Sequence, residues 1–119
     1  MKIIQIVIIL ISLNFIVQAS SLRDTIIVST AGGAICKIYS EEVGGDVEAF
    51  SNMNAGVMQI AEKMGYTNDM QSYISEVNKA KRDLQHLLLQ KHGSKLNIYN
   101  NWCIRFFNGY QKGLAKAYN

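Results

Sequence analysis

Few residues of this 119-residue chain have the type and spacing to do chemistry. Cys36 and Cys103 are its only two cysteines, and each falls on the apolar face of a predicted helix. An even cysteine count in a short exported chain reads as one disulfide. The bridge would tie the first helix to the last. Closing so long a loop stabilises a fold by about 4 kcal/mol on the chain-entropy account. Redox-active pairs stand close together, as in Cys-x-x-Cys, so a structural bridge is the expectation here. His86 and His92 are six residues apart. On a helix they point in different directions, away from the i,i+4 spacing of a shared metal face. No acidic cluster joins them, so both are expected in solvent. No metal and no cofactor is expected.

Asn54-Ala55-Gly56-Val57-Met58-Gln59-Ile60 also bears on chemistry. Its centre resembles the Gly-Leu-Met-Gln segment of the lysozyme-like lytic transglycosylases. The resemblance implies an upstream glutamate, typically followed by serine, that protonates a glycosidic oxygen. Glu48 is the nearby match, and Ala49 follows it. A general acid of this kind works in an apolar pocket. Glu48 is expected in an exposed first helical turn, so the segment reads more simply as a helical Met/Val/Ile stripe. The glycosidase using Glu48 is kept as the alternative function.

The aromatic residues Tyr99, Trp102, Phe106, Phe107 and Tyr110 form the remaining group. Cys103 must be buried, and Phe106 and Tyr110 follow it onto one face. Phe107 is rotated by about 100° from Phe106 on a regular helix. Phe107 and Trp102 are therefore the expected partner-binding residues, because exposed aromatics anchor protein interfaces.

The elements that position these residues are helical nearly throughout. The N-terminus is set apart. Met1-Lys2 precedes an apolar run, Ile3 to Val17, and Val17-Gln18-Ala19 supplies small residues at −3 and −1. This pattern predicts a signal peptide over 1–19, cleaved before Ser20, and a single helical domain over 20–119. The run is short for a membrane span of roughly 20 apolar residues, and Gln5, Ser12 and Asn14 interrupt it. Export would also let the cysteines oxidise.

A first helix is predicted within Leu22 to Glu42. Gly32-Gly33 weakens it, and the β-branched run Thr25 to Thr30 makes a short strand its rival. After Val43-Gly44-Gly45-Asp46, a second helix is expected with Asp46 as N-cap and Gly65 just past its end. Its stripe is Phe50, Met53, Val57, Ile60, Ala61 and Met64. A third follows Thr67 or Asn68, the latter in capping-box spacing with Gln71, and stops at Gly93. Met70, Tyr73, Ile74, Val77, Leu84, Leu87 and Leu88 form its apolar face. A fourth runs from about Asn97 to Ala117, with Gly109, Gly113 and Ala117 as a bare ridge for close packing. The fold class is all-α: a small bundle of about four helices pinned by Cys36–Cys103.

Composition narrows the functions. Without Lys2, eleven basic residues face nine acidic ones, a net charge of +2. The densest basic cluster, Lys79, Lys81 and Arg82, is followed at once by Asp83. That argues against nucleic acid as a partner, since phosphate binding needs a concentrated basic face. No Asn starts an Asn-x-Ser/Thr sequon, which leans toward a bacterial source. With no nucleophile elbow, phosphate loop or metal cluster, the expectation is a non-enzymatic exported protein, periplasmic or secreted. It would act on another protein as an inhibitor or immunity protein, a chaperone or an effector. The acid-activated periplasmic chaperones are architecturally similar. Dispersed charge disfavours a lipid-contacting role, and no stable membrane insertion is expected after cleavage.

Overall fold

The computed structural model describes residues 22–118, and the side chains of 22–113. The signal peptide expected over 1–19 lies outside them. The described chain is a helical bundle. Its helices are α1 (Leu22–Val43), α2 (Val47–Lys63), α3 (Met70–His92) and a fourth helical stretch in three pieces. Those pieces are a short turn α4 (Lys95–Ile98), a π-helical turn (Tyr99–Cys103) and α5 (Ile104–Tyr118).

α1 is the hub. Its sequence is apolar or small over most of its length, with charge concentrated near its ends. Such a helix buries more than one face. Ile26, Ala31, Ile35, Cys36 and Tyr39 are all buried. Neighbours α2, α3 and the π turn pack against it. The strand rival for Thr25–Thr30 loses to the helix. Two of its hydroxyls bond back to the preceding turn, Ser29 Oγ to the Thr25 carbonyl and Thr30 Oγ1 to the Ile26 carbonyl, each at 2.8 Å. β-propensity is a weak prior that tertiary burial overrides.

Gly32-Gly33 sits where α1 is most crowded. A Cβ on Gly33 would overlap the Asn54 side-chain oxygen and come within 3.0 Å of Met53 Cε, both on α2. A Cβ on Gly32 would lie 3.1 Å from the Trp102 ring and 3.2 Å from the Phe106 ring. The pair weakens the helix intrinsically, by roughly 1 kcal/mol per glycine. It also lets two elements approach α1 where side chains would hold them off.

The caps are local chemistry. Asp46 accepts from the Ala49 amide at 3.0 Å and starts α2 as expected. The end of α2 is a Schellman motif around Gly65, φ 78°. Gly65 donates to the Glu62 carbonyl and Tyr66 to the Ala61 carbonyl. At α3 the expectation was one or two residues early. Asp69, not Thr67 or Asn68, is the N-cap, and it accepts from the Ser72 amide at 3.0 Å. Ser94, bonded to the Asn97 amide, starts the fourth stretch at Lys95, two residues before the expected Asn97.

The expected apolar face of α3 is too broad. Tyr73, Leu84 and Leu88 are buried, but Met70, Ile74 and Leu87 are 45%, 50% and 44% exposed. The helix leans mainly on α1, and one neighbour covers a narrower stripe than the sequence supplies.

Candidate functional site

The disulfide forms as expected between Cys36 of α1 and Cys103 at the end of the π turn, with Cα atoms 5.6 Å apart. Both cysteines are fully buried. Trp102 and Phe106 stack beside them with ring centroids 4.9 Å apart. The π turn brings Trp102 and Cys103 inward together. It adds one residue to the turn, seen in the bond from the Ile104 amide to the Tyr99 carbonyl. Tyr99 then reaches the α1–α2 connection. Its hydroxyl accepts from the Asp46 amide at 3.1 Å, and its ring occupies the space a Cβ on Gly45 would need.

Beside this centre, α2 and α5 enclose a groove of about 640 Å³. Phe107 and Tyr110 of α5 and Met53 of α2 supply its apolar part. Phe107 is half-buried and rests on Phe50, centroids 5.5 Å apart. Tyr110 is buried, with its hydroxyl directly over Gly56, where a Cβ would overlap it. Asn52, Gln59 and Gln111 bring side-chain amides, and Asp46 and Glu48 bring carboxylates. From the N-cap Asp46 onward, Ala49, Asn52 or Met53, Gly56 and Gln59 follow at steps of three and four along one face of α2, with Glu48 at its edge.

The expected site residues fare differently. Phe107 is partly open and lines the groove. Trp102 is only 7% exposed, stacked on Phe106 and pressed against Gly32, so a role as a partner contact does not fit its position. Glu48 is exposed in the first turn of α2 and lines the groove with Gln59 of the Gly56–Gln59 segment. His86 is exposed. His92 departs from expectation: it is half-buried, and its Nε2 is buried without a hydrogen-bond partner. Among the described residues, no three His, Cys, Asp or Glu side chains converge as a metal site. The amides of Asn52, Gln59 and Gln111 were missed. For Asn52 and Gln59 the signal was a second, polar stripe on α2 beside the apolar one; Gln111 stands on α5.

A second cleft, of about 450 Å³, lies between α1 and α3. Glu76 lines it and accepts from both terminal nitrogens of Arg23, at 2.6 and 2.5 Å. That bond, more than any other influence, holds the Glu76 carboxyl below its ordinary range. Nearby, Tyr73 is buried with its hydroxyl 2.8 Å from Thr30 Oγ1, and burial raises its phenol above the usual value. These groups fasten α1 to α3 and leave little free chemistry. Among the described residues, no helix is long and apolar enough to cross a membrane. Set against protein-family models, curated proteins and solved structures, the chain finds no match, so its chemistry is argued from its own residues.

Proposed function

We propose that this chain is a small exported, non-enzymatic binding protein that meets another protein through the groove between α2 and α5. The observation that carries this is Phe107. It is a large aromatic ring left half-open at a concave surface, supported from behind by Phe50 and flanked by amides. Burying such a ring on a partner gives binding energy, and amides at the rim give direction. The buried disulfide supports an oxidising compartment, and the apolar run of Ile3 to Val17 supports export. A periplasmic inhibitor, a chaperone and a secreted effector all work through such a surface.

A photoreactive residue at Gln111 or at Asn52 in the native host tests this. Each is expected to give one discrete adduct with a partner protein. The same probe at Gln90, exposed on α3, is expected to give none. Equal labelling from all three positions, or none from the groove, would reject the reading.

A second reading, a cell-wall glycosidase using Glu48, has one observation in its favour. The fold places Glu48 and Gln59 on the same groove. The exposed first turn of α2 is not the apolar setting in which a general acid works. Release of muropeptides by the purified protein, lost in Glu48→Gln, would reverse the preference.

A further inference from the structure

We infer that the α2–α5 groove takes a basic peptide segment, with a lysine or arginine of the partner set against Glu48 and its aliphatic stem across Phe107. The inference rests on the groove being the partner surface. Although the whole chain is net positive, no Lys, Arg or His is among the described residues that line this groove. Among those residues the formal charges are the carboxylates of Asp46 and Glu48. They are not equivalent. Both sit at the positive end of α2, but Asp46 is engaged as its N-cap, accepting from the Ala49 amide. Glu48 has no ion pair or hydrogen bond among the described residues, so its charge is available to a ligand.

The stem of a long cation has an apolar surface to lie on. Arg and Lys cover aromatic rings with their methylene groups while the head stays with a carboxylate. Phe107, with Ala49 beside it in the lining, provides that surface. The amides of Asn52, Gln59 and Gln111 can each donate and accept, which suits the backbone of an extended peptide. Length agrees as well. From Asp46 to Gln59, α2 rises about 20 Å at 1.5 Å per residue, and an extended segment of about six residues spans the same distance. An acidic ligand would meet two like charges and, among the described residues of the lining, no cation. A saccharide would use the amides but leave the carboxylate charge unanswered.

The test uses the mature, oxidised chain and three capped, fluorescein-labelled hexapeptides, in which alanine alternates with arginine, glutamine or glutamate. Anisotropy should show saturable binding of the arginine peptide, weakened by added salt, and weaker or no binding of the other two. Glu48→Gln should weaken the arginine peptide about two- to fivefold, the range of one exposed charge pair. Ala49→Arg should weaken it more than Ala49→Gln, which fills similar space without charge. Melting curves of the variants exclude unfolding. Equal binding of arginine and glutamate peptides, indifference to Glu48→Gln, or equal loss in both Ala49 variants would overturn the inference. Failure of the two claims can be told apart. If Gln111 still captures its partner in Glu48→Gln and Ala49→Arg protein, the docking surface stands and the basic ligand falls. If the peptide behaves as stated and Gln111 captures nothing, the basic site stands and the partner-protein reading falls.

Discussion

Removing the disulfide should unfold much of this protein at moderate temperature, and the size of the effect can be worked out. Cys36 and Cys103 are 67 residues apart in sequence. On the chain-entropy account, closing a loop of that length destabilises the unfolded chain by about 4 kcal/mol. Both cysteines have no exposed surface, so a Cys→Ala change also leaves a small void, worth about 1 kcal/mol more. A loss of about 5 kcal/mol compares with about 5–15 kcal/mol of total stability for a domain. At about 4–8 °C per kcal/mol, the melting temperature should fall by 20 °C or more. The assay is thermal unfolding of Cys36→Ala, Cys103→Ala and the double variant, followed by circular dichroism. Either single change removes the same cross-link. The double variant should therefore cost scarcely more than one single, giving a coupling energy of about 4 kcal/mol. Additive single effects, or single effects under about 1 kcal/mol, would refute the claim that the cross-link carries this stability.

Gly33→Ala should destabilise despite its gain of about 1 kcal/mol in helix propensity, because overpacking typically costs about 1–3 kcal/mol. Adding Asn54→Ala to it should restore stability, since the Cβ at Gly33 would overlap the Asn54 side chain. The Glu76 carboxyl is depressed by Arg23, so its contribution is present above the unfolded carboxylate range and lost as pH falls through the lower folded value. Melting temperature against pH should therefore drop at the acid end in the native chain, and Glu76→Gln should flatten that drop. Phe107→Ser should lower stability by about 1–2 kcal/mol, because a half-buried ring and its contact with Phe50 are lost. A melting temperature shifted by less than a few degrees would instead place Phe107 outside the packed structure.

The sequence made the fold class readable because helical periodicity and end signals agreed. Asp46, Gly65 and Gly93 each act within a few residues of themselves, so their roles need no knowledge of the rest of the chain. The cysteine pairing was readable because only one pairing exists. What could not be read depends on which helix meets which. Met70, Ile74 and Leu87 look like core by spacing, and they are exposed because α3 has mainly α1 to lean on. Gly32-Gly33 looks like weakness and is a crossing point for two partners. The π turn leaves no mark in hydrophobic periodicity; Trp102, four residues before Phe106, follows it onto the buried face and so is not one of the open partner contacts. The polar side of the groove was missed because Asn52 and Gln59 belong to a face that looks merely solvated until α5 lies beside it.

The groove is then a product of α1, although α1 contributes none of the side chains named in its lining. One wall, α2, is set against α1 where Met53 and Asn54 meet Gly33. The other wall belongs to the last helix, which is fixed to α1 by the Cys36–Cys103 bridge and by Trp102 and Phe106 over Gly32. Those anchors occupy adjacent residues of α1 and the turn that follows. They leave α2 and α5 little freedom to slide against each other. Phe50, wedged between Tyr99 at 6.1 Å and Phe107 at 5.5 Å, joins the walls directly. Rigid walls matter for binding, because a preformed surface avoids the cost of ordering side chains on association. Breaking the bridge should therefore impair binding beyond the loss of folded molecules. In Cys103→Ala protein held well below its melting temperature, helix content should be nearly native while affinity for the groove ligand falls. An unchanged affinity in fully folded Cys103→Ala protein would show that the walls are placed by packing alone.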